Sequence, residues 1–105
     1  MKAMHPEKYD PKTDNFKSWC EDLERWIKSE DENLADLFRQ AATAKDVVEL
    51  PVGPELENIR FAYSHLRKLM GNKEAKQIVR GTRRDNALEA YRLLNRRYNP
   101  RSRPP

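Results

Sequence analysis

Phe16, Trp19, Cys20, Leu23, Trp26 and Ile27 stand at i, i+3, i+4, i+7, i+10 and i+11, so at about 100° per residue all six share one helix face. Asp14 or Asn15 can supply the N-cap of this first helix. After the acidic and capping run SEDEN at 29–33, Leu34, Leu37, Phe38 and Ala41 resume the spacing and predict a second helix ending near Asp46. The stretch VVELPVGPE at 47–55 breaks the period, because proline cannot continue a helix interior, and reads as a loop. Pro54 suits the first turn of a third helix, on which Leu56, Ile59, Tyr63, Leu66 and Met70 form the stripe and Ala62 and Leu69 widen it. Gly71 is expected to stop that helix as a C-terminal glycine. Residues 72–81 predict a short fourth helix capped by Asn72, closed by Gly81, with Ala75, Ile78 and Val79 inward. Asp85 is expected to open a fifth helix, on which Ala87, Tyr91, Leu94 and Tyr98 align, and Pro100 ends it.

No stretch alternates polar and apolar residues as a half-buried strand would, and no internal repeat is visible. The expectation is an all-α chain: an extended N-terminal arm at 1–13, a compact bundle of about five helices at 14–99, and a disordered, basic Arg/Pro-rich tail or linker at 100–105. Two large apolar side chains fall outside the stripes. Phe61 lies opposite the stripe of the third helix, and Leu93 lies well off that of the fifth. Single exposed apolars are ordinary on protein surfaces, but these two are the sequence's nominees for an oligomer interface.

Composition narrows the picture. Apolar residues make up 37% and charged residues 36% of the 105, so one lean core is affordable and a second is not. The net charge of +4 conceals a strong asymmetry: residues 1–54 carry −4 and residues 55–105 carry +8. Between positions 80 and 103 every basic residue is arginine: Arg80, Arg83, Arg84, Arg92, Arg96, Arg97, Arg101 and Arg103. Such a cluster attracts phosphate or another acidic surface, and makes these eight the candidate nucleic-acid contacts; the alternative is a solvated charged face. Cys20 is the single cysteine, which rules out an internal disulfide and paired-cysteine zinc patterns and fits an intracellular, reducing compartment. No signal-peptide core and no run of about 18 apolar residues is present, so no membrane association is expected.

Little points to catalysis. His5 in the arm and His65 on the polar side of the third helix have no carboxylate at a triad or metal-pair spacing, and Cys20 faces inward as a structural thiol. Glu21, Asp22 and Glu24 are expected on the solvent face of the first helix. GTRRDN lacks the lysine and hydroxyl of a phosphate-cradling glycine loop. The expectation is a non-enzyme with no metal, no cofactor and no small-molecule substrate.

Two segments, read together, carry a resemblance. NFKSWCEDLERWIKSED resembles the opening helix of Gag-type capsid domains from long-terminal-repeat retrotransposons of the copia type, where a phenylalanine shortly before a tryptophan begins a long amphipathic helix. NALEAYRLLNRRYNP resembles their later helix, in which an aromatic residue followed by Arg-x-Leu ends in aromatic-x-Pro, and AKQIVRGTRRD matches the short helix and turn before it. Tyr91 stands where that family usually has tryptophan, and no zinc knuckle accompanies the motifs. The resemblance spans roughly residues 15–101 and implies an amino-terminal capsid lobe. Its function would be self-association into a weak homo-oligomer, with non-specific RNA contacts secondary. The residues themselves leave two alternatives open: a small basic nucleic-acid-binding domain, and a helical adaptor for another protein.

Overall fold

The computed structural model describes residues 5–12 and 14–99. Its body consists of α1 (Phe16–Glu30), α2 (Glu32–Ala42), α3 (Glu55–Lys68), α4 (Lys73–Arg80) and α5 (Ala87–Tyr98), and the described residues form no strand. The fold is all-α. In α1 all six residues of the apolar stripe are buried, and Asn15 caps the helix by accepting from the Ser18 N–H at 3.1 Å. Asp31 both ends α1, donating its N–H to the Ile27 carbonyl at 2.8 Å, and caps α2, accepting from the Leu34 N–H at 3.1 Å. The two helices therefore meet at a single hinge residue.

The second helix stops at Ala42, short of Asp46. Ala41 is the last buried residue of its stripe, and beyond it α5 draws the chain into an extended course: the Val48 N–H donates to Glu89 Oε1 at 3.0 Å, and Asn86 Nδ2 donates to the Val48 carbonyl at 2.7 Å. A turn at Gly53, whose φ of +136° suits glycine alone, then leads through Pro54 into α3. At the centre lies α5, packed against α2, α3 and α4. Leu88 and Ala90 are buried on it along with Ala87, Tyr91 and Leu94, because a helix covered from several sides has no single apolar stripe. Asp85 does not open this helix. Arg83–Asp85 form a short 3-10 turn, and Asn86 is the cap, accepting from the Glu89 N–H at 3.2 Å.

The described part of the arm runs extended over residues 5–10, yet belongs to the core. Tyr9 is 3% exposed, with its ring 5.2 Å from Phe16, 5.4 Å from Trp19 and 5.4 Å from Tyr98. Its N–H donates to the Leu69 carbonyl and its carbonyl accepts from the Gly71 N–H, both at 2.7 Å, while Trp19 Nε1 donates to the Glu7 carbonyl at 2.9 Å. Gly71 consequently serves close approach and not helix termination. The third helix ends at Lys68 with Leu69 as its C-cap, and a Cβ on Gly71 would lie 2.5 Å from the Tyr9 carbonyl oxygen. The expected tail at 100–105, with Arg101 and Arg103, lies outside the described residues.

Candidate functional site

The arginines separate by their partners. Arg92, expected to point outward from α5, is buried: its Nε and a terminal nitrogen donate to the two carboxylate oxygens of Glu89 at 2.6 and 2.8 Å. The Val48 N–H shares Glu89 Oε1 with Arg92 Nε, so the 47–50 segment lies beside the pair, on a helix face that sequence spacing leaves open. Burial alone would raise the Glu89 carboxyl, but hydrogen bonds from Arg92 and Val48 and the Arg92 charge outweigh it and hold the group below its ordinary value. Arg92 is therefore committed to a buried ion pair, unlike the exposed arginines of the cluster. Arg97 is paired with Glu74 at 2.7 Å, and Tyr98 donates its hydroxyl to the same carboxylate at 2.9 Å.

Arg80, Arg83 and Arg84 are exposed around the turn joining α4 to α5, and Arg96 is exposed on α5. At this turn Arg84 and Asp85 adopt φ of 58° and 52°, a left-handed conformation costing a non-glycine residue about 1–2 kcal/mol. Anchors on either side hold it: the Thr82 N–H donates to the Val79 carbonyl at 3.1 Å, and Asn86 bonds Val48 and caps α5. Two hollows flank the turn. One, of about 460 Å³, is lined by Tyr63, Arg67, Arg80, Thr82 and Asp85. The other, of about 500 Å³, is a groove that Val47, Val48, Leu50 and Leu93 line together with Glu49, Thr82, Arg83, Arg84, Asn86 and Glu89.

Phe61 and Leu93 belong to different patches. Phe61 is 59% exposed on α3, its ring 4.5 Å from that of His65, whereas Leu93 is half-buried in the groove. The structure also joins two residues that sequence spacing leaves unrelated: His5 Nε2 lies 3.1 Å from His65 Nδ1, with both rings against Trp26 at 4.6 and 5.1 Å. Burial, then the His5 and Lys68 charges, lower the His65 pKa from its ordinary value, against an opposing pull from Glu30. No local pattern could reveal this pair, because 60 positions separate its members.

Glu24 departs from the solvent-face expectation. It accepts from the Tyr91 hydroxyl at 2.5 Å and lies 3.9 Å from Arg39, so it ties α1 to α5 and α2. Cys20 is buried, and burial above all pushes its thiol up to about 12, which keeps it protonated and unreactive at neutral pH. Asp31 and Glu55 form a close carboxyl pair at the base of α3. A hydrogen bond with Asp31, then burial, raise the Glu55 carboxyl, and Asn58 Nδ2 braces Asp31 at 2.8 Å. These groups bind helices together, and none faces either hollow. Among the described residues no group of three or more histidine, cysteine or acidic side chains could hold a metal, and no helix is long and apolar enough to cross a membrane. Compared with known protein families, with characterised proteins and with solved structures, the chain matches none.

Proposed function

We propose that this bundle is a self-association module of Gag-like capsid type, with contacts to RNA secondary and no catalytic role. The observation that carries the reading is the pairing of an exposed aromatic knob, Phe61, with an open groove elsewhere on the same molecule, where Val47, Val48, Leu50 and Leu93 stand among charged and polar side chains. Two different patches that fit each other give a head-to-tail contact, in which the knob of one copy enters the groove of the next. The resemblance of residues 15–101 to capsid lobes supports the same reading. A contact built on one aromatic side chain falls well short of the roughly 1,000 Å² of a stable interface, so isolated copies associate weakly.

The test uses two variants, Phe61→Ser and Leu93→Ser, studied alone and mixed by analytical ultracentrifugation. Each alone is expected to be monomeric with helicity retained, the first lacking a knob and the second a groove. Mixed, the knob of Leu93→Ser meets the groove of Phe61→Ser, and a heterodimer is expected at concentrations where the parent chain associates. Failure of the mixture to dimerise would rule out the head-to-tail contact. A parent chain that stays monomeric at millimolar concentration would overturn self-association itself and favour the adaptor reading.

A further inference from the structure

Charge pairing divides the arginines of this protein into two populations. Arg25, Arg39, Arg92 and Arg97 are each engaged by a carboxylate, on Asp22, Asp36, Glu89 and Glu74 respectively. Arg60, Arg67, Arg80, Arg83, Arg84 and Arg96 make no ion pair among the described residues. Four of these six gather at one place. Arg67 from the last turn of α3 and Arg80 from the end of α4 line one hollow, Arg83 and Arg84 line the other hollow that flanks the same turn, and Thr82 lines both.

Cations at helix C-termini offset the helix dipole, which explains why Arg67 and Arg80 sit on their own helices but not why they converge. The cleft contains one opposing carboxylate, Asp85, leaving an excess of positive charge across it and the adjoining turn. Its Tyr63 hydroxyl is already committed to the Val79 carbonyl at 2.7 Å, so the polar groups left to meet a ligand are chiefly guanidiniums. The strained turn adds a second observation. Two consecutive non-glycine residues in the left-handed region are costly, and such strain collects where a surface is held for use.

We infer that the cleft between α3 and α4, with the turn beside it, binds consecutive phosphates of a single-stranded nucleic acid through Arg67, Arg80, Arg83 and Arg84. Guanidinium groups match phosphate oxygens in a planar, two-point fashion that lysine cannot reproduce, and a row of separate guanidiniums suits a ligand whose charges recur along a chain. A single strand suits this open hollow, because a flexible backbone can follow guanidiniums spread around a turn as a stiff duplex cannot. This inference rests on the RNA contact proposed above, not on self-association. It also revises that contact: Arg67, from a different helix and outside the arginine-rich segment, joins it, and Arg92 and Arg97 leave it.

The experiment compares two double variants of equal charge, Arg67→Gln with Arg80→Gln and Lys17→Gln with Arg60→Gln, by anisotropy of a labelled oligouridylate across a salt series. The cleft variant is expected to lose at least about tenfold in affinity. Its salt slope should fall by about 1.4, two contacts at about 0.7 each for a single strand. The control pair is expected to stay within about twofold of the parent. Equal losses in the two variants would reduce binding to diffuse electrostatics and overturn the site, as would absence of binding at low salt. Displacement of the oligouridylate by polyglutamate at equal charge would assign the cleft to acidic polypeptides instead. Sedimentation of the cleft variant should match the parent, so failure here and failure of self-association are separately visible.

Discussion

The buried ion pair of Glu89 and Arg92 offers the sharpest test of how α5 sits in the bundle. Its side chains are 13% and 7% exposed, both carboxylate oxygens accept from the guanidinium, and Glu89 Oε1 also takes the Val48 N–H. Arg92→Met keeps much of the apolar stem but strands a buried carboxylate, a loss of about 3–5 kcal/mol when one partner of such a pair is removed. Against a total stability of about 5–15 kcal/mol this is a large fraction. At about 4–8 °C per kcal/mol, the melting temperature should fall by at least about 12 °C. Combining it with Glu89→Gln, whose amide oxygen can still accept from Val48, removes both charges and should recover to within about 2 kcal/mol of the parent. Urea unfolding followed by Trp19 and Trp26 fluorescence measures the whole cycle.

The pair also predicts a pH dependence. A carboxyl held below its ordinary value of 4.5 stabilises the fold fully above that pH, and the contribution is lost as the pH falls through the depressed folded value. Arg92→Met should therefore flatten the acid side of the stability profile and leave oligouridylate affinity unchanged. An Arg92→Met protein as stable as the parent but weakened in RNA binding would mean that Arg92 faces solvent, and the packing of the 47–50 segment beside the pair would be wrong.

Two further outcomes follow from the arm. Gly71→Ala places a Cβ 2.5 Å from a backbone oxygen that cannot rotate away, so Tyr9 must leave its site at a cost of about 1–3 kcal/mol; faster hydrogen exchange at the Tyr9 and Gly71 amides is the readout, and unchanged exchange would contradict the contact. His65, lowered in the folded protein, takes up its proton first in the unfolded chain, so its contribution is complete above about 6.5 and declines as the pH falls below that value. Trp26 fluorescence should follow this change in the parent and not in His65→Asn; a parent profile flat across this range would remove the histidine contact from the arm's docking.

The amphipathic helices that bury one face were legible from spacing alone, as the full agreement in α1 shows. Arg92 was not, because helical spacing assigns a side chain to a direction but cannot tell what packs there, and Glu89, held in turn by Val48, takes its guanidinium. Tyr9 carries no periodic signal, since a short extended segment anchored by one aromatic ring and two backbone hydrogen bonds has no repeat to detect. The candidate site was half visible. Arg80, Arg83 and Arg84 stand out as a charge cluster, whereas Arg67 looks like any solvent-facing helical cation until the third and fourth helices are folded against each other.

The ring contact between Tyr9 and Tyr98 has a topological consequence. It brings Tyr9 of the arm to within 5.4 Å of Tyr98, the last residue of α5, so two stretches near opposite ends of the described chain meet at one point of the bundle. The same proximity suits circular permutation in which a short linker joins residue 9 to residue 98 and the chain is reopened near Val52, which is fully exposed. Such a rearrangement would shift both ends beside the loop into α3 while every helix kept its neighbours.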